Sequence, residues 1–200
     1  MTKTFLHVGC GPKRKEQTTR EFAGDAWREI RFDIDESVAP DVLGTMTDLS
    51  AVESASVDAI FSSHNIEHLF PHEVPVALQE FMRVLKPDGF VVITCPDLQS
   101  VARLIADGKL VEPAYVSAAG PITPLDIVYG HRAAIASGKV YMAHRCGFTE
   151  AVLVATLQAA GFASVASLCR RANFDLWAVA SKPALPEEDM RKIAAAHFPG

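Results

Sequence analysis

Side chains that can accept a proton or bind a metal are grouped directly after the apolar run at residues 57–62. His64, Glu67 and His68 form a His-x-x-Glu-His pattern, the inverted zinc-protease motif, and two histidines four residues apart on a helix can share a metal ion. Pro71 follows closely, so any helix is short, and no further ligand stands at a diagnostic spacing. The sequence therefore favours a structural role for Glu67 and His68, in which they bond to nearby backbone, over a zinc hydrolase.

A glycine-rich turn, Gly9-Cys10-Gly11, follows directly on the apolar run at residues 4–8. Glycines let the backbone turn sharply and come close to a ligand. The dinucleotide-binding fingerprint would place a third glycine at position 14, but the chain has Arg14 there. The turn therefore predicts a ligand-binding loop, and an NAD-dependent oxidoreductase is kept as an alternative.

Asp33 and Asp35 stand at the end of the next strand-like run, residues 29–32. A carboxylate at this place in an open α/β sheet lies beside the crevice where ligands bind, and it can accept hydrogen bonds from both hydroxyls of a ribose. Bonds of this kind contribute roughly 1.5–3 kcal/mol each. Asp33 is therefore predicted to bind a ligand, whereas Asp35 fits a solvated turn residue as well as a ligand contact.

The segment 107–147 is rich in glycine and proline and contains two His-Arg pairs, which begin at His131 and at His144. Tyr129 stands beside the first pair. A histidine base and an arginine such as Arg145 could present a proton acceptor and an anion clamp to a substrate. The alternative is that the arginines form surface ion pairs and the histidines are half-buried. The segment is too apolar for a disordered linker, so we expect an inserted lid or substrate-side element.

The rest of the sequence predicts an α/β fold, in which a mostly parallel sheet has helices on both faces. The apolar runs are typical of buried parallel strands. The predicted strands are residues 4–8, 29–32, 42–43, 57–62 and 90–94, followed by an antiparallel pair at 164–169 and 174–180; the predicted helices are 73–85, 98–106, 150–160 and 187–197. Residues 13–20 are almost wholly polar, so only a poor helix is expected after the glycine-rich turn.

The order of these motifs resembles small class I methyltransferases, Rossmann-like enzymes that use S-adenosylmethionine, of a methyltransferase-11-like family. The resemblance covers residues 4–97 well and continues weakly through residues 160–162 and the last strand pair. Each motif is common, but the four in this order and spacing are specific. They are Gly9-Cys10-Gly11-Pro12, Asp33, Ser62-Ser63-His64-Asn65-Ile66-Glu67-His68-Leu69 and Leu85-Lys86-Pro87-Asp88-Gly89-Phe90.

The resemblance implies a Rossmann-like open sheet of about seven strands, mostly parallel with the last strand antiparallel. It also implies S-adenosylmethionine as methyl donor, with S-adenosylhomocysteine as product. The glycine-rich turn would pass under the methionine part, Asp33 would hold the ribose, Met46 would lie against adenine, and His64 would lie near the transferable methyl. The implied cofactor-binding residues are Gly9, Cys10, Gly11, Asp33, Ile34, Met46, Ser63 and His64.

The chain departs from the family pattern in two places. An acidic residue often contacts the adenine amino group two places after the third strand, but Thr45 stands there and the nearest acid is Asp48. Some small-RNA and quinone methyltransferases carry Glu-x-x-Glu-His as metal ligands, but His64 takes the place of the first Glu here. The resemblance therefore leaves the adenine contact open and predicts no bound metal.

The bulk properties narrow the class of protein further. The 200 residues fit one α/β domain, residues 1–200, and the formal net charge of −5 argues against general nucleic-acid binding. No apolar run is long enough to span a membrane, no signal peptide is visible, and the four cysteines show no Cys-x-x-Cys spacing. We therefore expect a cytoplasmic protein with reduced thiols, and the sequence indicates no oligomeric state.

These observations predict methyl transfer to an oxygen or nitrogen of a small-molecule acceptor, since the chain has no Asn-Pro-Pro-Tyr motif for amino groups of bases or glutamine. Direct displacement requires mainly alignment and exclusion of water. A base is needed only where the acceptor must lose a proton, and the candidates are His64 and then His144. Tyr129, His131 and Arg145 are candidate substrate contacts. The main alternative is a non-catalytic module that binds S-adenosylmethionine or S-adenosylhomocysteine.

Overall fold

The chain forms a seven-stranded sheet in a computed structural model that describes residues 2–117 and 119–199. The strands are β1 (Lys3–Val8), β2 (Trp27–Asp33), β3 (Val42–Leu43), β4 (Val57–Ser63), β5 (Leu85–Pro96), β6 (Tyr115–Ser117), β7 (Gly120–Ile122), β8 (Ser164–Arg170) and β9 (Asp175–Ser181), of which β6 and β7 form a separate hairpin. The helices are α1 (Val74–Val84), α2 (Leu98–Ala106), α3 (Pro124–Tyr129), α4 (Arg132–Ala136), α5 (Glu150–Ala159) and α6 (Glu187–His197). Among the described residues, no helix combines the length and apolar character needed to cross a bilayer.

The strand order across the sheet is β3-β2-β1-β4-β5-β9-β8. Strands β1 to β5 pair in parallel, and β9 runs antiparallel to both of its neighbours, β5 and β8. The predicted sheet, mostly parallel with the last strand antiparallel, is therefore confirmed. The strand order reverses between β1 and β4, so the crevice for a ligand is expected at the carboxyl ends of these strands.

Helices cover both faces of the sheet because successive side chains of a buried strand point to opposite faces. On one face, Leu6 belongs to the same apolar cluster as Leu78 of α1 and Leu153 of α5. On the other face, Phe5 belongs to a second cluster with Met190 of α6. Removing these apolar side chains from water is the main stabilising contribution to the sheet.

The segment between β1 and β2, all of it described, contains no α-helix, in agreement with its polar sequence. Its only helical turn is the 3-10 turn Lys15–Gln17. Phe22 covers the sheet here instead, because its ring stacks on Phe5 with 4.3 Å between centroids and meets Trp27 edge-on at 4.9 Å. Aromatic packing thus replaces the apolar helix stripe that the sequence lacks.

The boundary between α1 and β5 differs from the sequence interpretation. Helix α1 ends at Val84 and β5 begins at once, so residues 86–89 are part of the strand and do not form a separate turn. The pairing of β5 with β4 shifts in register between Val57 and Ala59. A shift of this kind lets a strand accept the proline and glycine of this stretch.

Residues 107–147 stand outside the sheet and include β6, β7, α3 and α4. Val101 of α2 forms a small apolar cluster with Ile122 and Ile127 of this segment. The cluster holds the inserted segment against α2, which follows β5 directly at the carboxyl edge of the sheet.

The C-terminal helix places a histidine where protonation is unfavourable. His197 is 3% exposed, its ring lies 4.3 Å from the Phe22 ring, and its Nδ1 is 2.8 Å from Oγ1 of Thr19. Burial lowers the pKa of His197 from 6.5 to about 4, so the imidazole is neutral in the folded protein at pH 7.

We expect the free energy of unfolding to fall as the pH drops from 6.5 to about 4, since the unfolded chain binds a proton there that folded His197 does not. The contribution is fully present above pH 6.5 and amounts to about 3 kcal/mol at most. His197→Gln should remove this pH-dependent contribution. Urea denaturation of both proteins across this pH range measures the change. Burial also lowers the pKa of His7, so the test is the difference between the two proteins. An identical pH dependence in both would contradict the assignment.

Candidate active site

The turn after β1 is held by its contact with the loop after β4. Gly9 has a φ of +63°, and a Cβ at this position would lie 2.0 Å from Oδ1 of Asn65. The Asn65 amide group donates hydrogen bonds to the carbonyls of Val8 and Ser63, both at 3.0 Å. Glycine leaves room for this contact, and the two loops therefore meet at one edge of the crevice.

The carboxylate of Asp33 connects this turn to the loop after β2. Its Oδ2 accepts a hydrogen bond from the Gly11 amide at 2.7 Å, and its Oδ1 accepts one from the Asp35 amide at 2.9 Å. A carboxylate has about four acceptor positions, so two are left for a ligand in the crevice.

A buried arginine, which the sequence reading did not single out, supports the same turn. Arg31 is 1% exposed, and its guanidinium donates to the carbonyls of Gly11 (2.5 Å), Ala39 (2.7 Å) and Lys13 (3.2 Å). These bonds satisfy the donors of a charge that would otherwise be costly to bury. The sequence signal that could have indicated this role is a charged residue inside an otherwise strand-like run.

A cavity of about 500 Å³, the first cavity, opens at this edge of the sheet. Its wall includes all eight residues that the resemblance implies for the cofactor, namely Gly9, Cys10, Gly11, Asp33, Ile34, Met46, Ser63 and His64. Burial raises the pKa of the Cys10 thiol to about 11, so Cys10 is a neutral wall residue and not a nucleophile at pH 7. Thr45 also lines the cavity, whereas the Asp48 carboxylate accepts a hydrogen bond from the Ser50 amide at 3.0 Å and is not part of the wall.

The inserted segment forms one side of the first cavity. Lys139 Nζ and Tyr141 OH both donate to Oδ2 of Asp35, at 3.0 and 2.6 Å. Asp35 Oδ1 accepts a hydrogen bond from the Ser37 amide at 2.9 Å. Asp35 therefore anchors the segment, a role that no local pattern indicated because its partners lie 104 and 106 residues away in the chain.

A second cavity of about 440 Å³ adjoins the first. Three side chains, His64, His68 and Met142, line both cavities and stand where two ligands would meet. Other residues of its wall include Glu67, Tyr115, Asp126, His131, His144, Arg170, Phe174 and Asp175.

Two acids in the wall of the second cavity, Asp126 and Asp175, are each paired with an arginine. Arg170 Nε donates to Asp175 at 2.9 Å, and Arg132 Nε donates to Asp126 at 2.7 Å. The Arg132 guanidinium holds the pKa of Asp126 well below its usual range. Because each acid has its own cation, this part of the wall suits a ligand of low net charge.

His64 has a left-handed backbone conformation, with φ at +56°. Few non-glycine residues adopt it, although histidine does so more often than most. Its amide donates to the Thr94 carbonyl at 2.8 Å, and its side chain is 48% exposed. Strain of this kind is concentrated at functional sites, where it fixes the direction of a side chain.

Glu67 lies next to His64 with its carboxylate enclosed. It is 1% exposed, and none of the residues that the structure describes donates a hydrogen bond to either carboxylate oxygen. Its Oε1 is 3.4 Å from Nδ1 of His64. Burial by itself raises the pKa of Glu67, but the imidazoles of His64, His68 and His144 lower it overall. The expectation that this carboxylate bonds to backbone is therefore wrong.

The predicted substrate residues are dispersed. Tyr129 is 62% exposed and belongs to neither cavity wall. His131 lines the second cavity, and Arg145 lines the first, with its guanidinium 4.7 Å from the centre of the Phe70 ring. His144 lines the second cavity.

Comparisons with known proteins concern the domain and the fold. Residues 6–93 match the family model described as "Methyltransferase domain". A search of curated proteins finds no significant match. The fold is similar to a 1,6-didemethyltoxoflavin-N1-methyltransferase from Burkholderia thailandensis, solved with 1,6-didemethyltoxoflavin and S-adenosylhomocysteine bound (TM-score 0.56, 18% identity, 92% of this chain and 72% of that chain). It is also similar to an S-adenosylmethionine-dependent methyltransferase from Thermotoga maritima, a possible histamine N-methyltransferase (TM-score 0.57, 15% identity, 92% of this chain and 84% of that chain). A third similar structure is a protein from Pyrococcus horikoshii (TM-score 0.61, 15% identity, 90% of this chain and 82% of that chain).

Residues 6–93 thus match a methyltransferase domain, and the chain has the class I, Rossmann-like fold of S-adenosylmethionine-dependent methyltransferases. Its methyl donor is S-adenosylmethionine. The NAD-dependent oxidoreductase and zinc hydrolase alternatives are set aside on the same evidence.

We expect Gly9→Ala to destabilise the protein more than Gly108→Ala. Both glycines have a positive φ, so each alanine incurs the left-handed penalty of about 1–2 kcal/mol. Only at Gly9 does the added Cβ also meet the Asn65 side chain, since nothing lies within 4 Å of the corresponding Cβ at Gly108. Denaturant unfolding of the two variants measures the difference, and equal losses would show that the Asn65 contact is unimportant.

Proposed function

We propose that the chain transfers the methyl group of S-adenosylmethionine to an oxygen or nitrogen of a small-molecule acceptor. The observation that carries this proposal is the meeting of the two cavities at His64, His68 and Met142. Donor and acceptor in adjoining cavities would hold the methyl carbon between the sulfonium and the attacking atom, which is the alignment that displacement requires.

The first cavity suits the cofactor. The Gly9-Cys10-Gly11 turn would pass under the methionine part, and the two remaining acceptor positions of Asp33 would bind the ribose hydroxyls. Met46 would lie against adenine. With Thr45 where the family often has an acid, adenine is held mainly by apolar contact in this proposal.

The transfer step needs little covalent chemistry from the protein. A lone pair of the acceptor atom forms a bond to the methyl carbon while the carbon–sulfur bond breaks, and its electron pair stays on sulfur as S-adenosylhomocysteine is formed. A proton on the acceptor atom passes to a base, for which His64 is the first candidate because it lines both cavities. His144 is the second candidate, because burial lowers the pKa of its imidazole and keeps it neutral at pH 7.

A small acceptor of low net charge fits the second cavity. Its volume of about 440 Å³ is in the usual range for small-molecule sites. The rings of Tyr115 and Phe174 stack with 6.3 Å between centroids and offer a flat apolar wall. The 1,6-didemethyltoxoflavin-N1-methyltransferase of similar fold was solved with 1,6-didemethyltoxoflavin bound, which supports an acceptor of this size.

The inserted segment acts as a lid within one methyltransferase domain in this proposal. It supplies Lys139 and Tyr141 to the first cavity and His131 and His144 to the second. A single segment that forms part of both walls would exclude water from the transfer.

Asp33→Ala should weaken binding of S-adenosylhomocysteine at least about tenfold, or about 1.4 kcal/mol, because the ribose loses its acceptors. Asp48→Ala is the matched control, since that carboxylate is exposed and bonds only to the nearby Ser50 amide. Calorimetric titration measures these affinities, with S-adenosylmethionine and S-adenosylhomocysteine as ligands and NAD as a negative control. Unchanged affinity in Asp33→Ala would exclude the ribose assignment, and cofactor binding without turnover of any acceptor would favour a binding module.

His64→Asn should lower turnover by about a hundredfold or more for an acceptor that must lose a proton, while cofactor affinity changes much less. Asparagine tolerates the left-handed backbone at this position, so the change removes the imidazole without adding backbone strain. Turnover is measured as S-adenosylhomocysteine released with a panel of phenols, heterocyclic N–H compounds and amines. Equal losses of turnover and cofactor affinity would point to a packing role for His64.

A further inference from the structure

Three metal-binding side chains converge in the wall of the second cavity. Glu67, His68 and His144 each bring one donor atom, and these atoms lie within 4.8 Å of one another. All three residues line the cavity. Donor atoms about 2.0–2.2 Å from a tetrahedral ion are about 3.3–3.6 Å apart, so the three side chains would have to move together by up to about 1.5 Å to complete the site.

Both imidazoles are oriented as metal ligands are. The Nδ1 of His68 donates to the Ala143 carbonyl at 3.2 Å, and the Nδ1 of His144 donates to the Ile127 carbonyl at 2.8 Å. A carbonyl oxygen only accepts, so Nδ1 carries the proton in each ring and Nε2 keeps a free lone pair. Metal-bound histidines almost always donate their other ring N–H in this way, which fixes the ring and its tautomer.

The buried carboxylate of Glu67 is an independent indication of a bound cation. No described residue donates a hydrogen bond to either carboxylate oxygen. An enclosed carboxylate is costly unless a cation or hydrogen-bond donors compensate its charge. The neighbouring His68 and His144 rings already use their N–H groups on backbone carbonyls, so a cation between the three side chains would satisfy Glu67.

We infer that Glu67, His68 and His144 bind a divalent transition-metal ion with the preferences of Zn²⁺. Two imidazoles and one carboxylate are a donor set for catalytic zinc, in which a further coordination position stays open. The sequence interpretation predicted no metal because His64 replaces the first acid of a known ligand pattern, whereas the structure recruits His144 from the inserted segment.

The open position would face the second cavity, where an acceptor oxygen or nitrogen could bind the ion. This role for the ion rests on the proposed methyl transfer, but the metal site itself does not. The assignment makes His144 a ligand and leaves His64, whose Nδ1 is 3.4 Å from Glu67, as the base.

The test is metal binding by the full chain, after treatment with a chelator and transfer to metal-free buffer. Calorimetry with Zn²⁺ should show one site, and Co²⁺ should give visible d–d absorption typical of four or five ligands that include imidazole. Glu67→Gln and His144→Asn should each weaken Zn²⁺ binding by about a hundredfold or more, because loss of a ligand exceeds the 10–100-fold effect of its supporting bonds. His72→Asn is the matched control, since His72 is exposed and lies outside both cavity walls.

Titration of each protein with S-adenosylhomocysteine separates the two proposals. Glu67 and His144 line only the second cavity, so both variants should keep cofactor affinity within about twofold, which also shows that they are folded. Wild type that binds S-adenosylhomocysteine but not Zn²⁺ or Co²⁺ would overturn the metal site and leave the proposed function intact. Zn²⁺ binding that is the same in both variants as in wild type would also overturn it, because the ion would then lie elsewhere.

Discussion

Where the strand order reverses, the turn after β1 and the loop after β4 come so close that a side chain at Gly9 would overlap Asn65. The Asn65 side chain bonds to backbone on both sides of this junction. Asp33 then connects the turn to the end of β2. Three strand ends are thus fixed relative to one another by contacts within the protein, and this pre-organisation lowers the ordering cost of binding.

The same edge of the sheet contains a buried guanidinium to which no carboxylate among the described residues is bonded. Arg31 is held by backbone carbonyls of the glycine-rich turn and of the loop after β2. Its removal would free both loops at once and leave several carbonyls without donors, since buried carbonyls need partners. The first cavity therefore depends on polar contacts between loops more than on apolar packing.

The second cavity depends on a different part of the chain. The inserted segment, held through Asp35 by Lys139 and Tyr141, contributes walls to both cavities. The sheet edge can therefore keep the first cavity unchanged while the insert shapes the second. This division is consistent with folds that support many chemistries by changes in their loops.

The amino-acid sequence by itself determined the alternation of strands and helices, the glycine-rich turn and Asp33, because each is a local pattern of hydrophobicity or backbone freedom. It also indicated, through its polar residues 13–20, that no good helix follows the first strand. Only the tertiary structure decided the environment of Glu67 and the role of Asp35. His144 beside Glu67, and Lys139 and Tyr141 on Asp35, come from the inserted segment far along the chain, and such pairings arise only when distant segments meet.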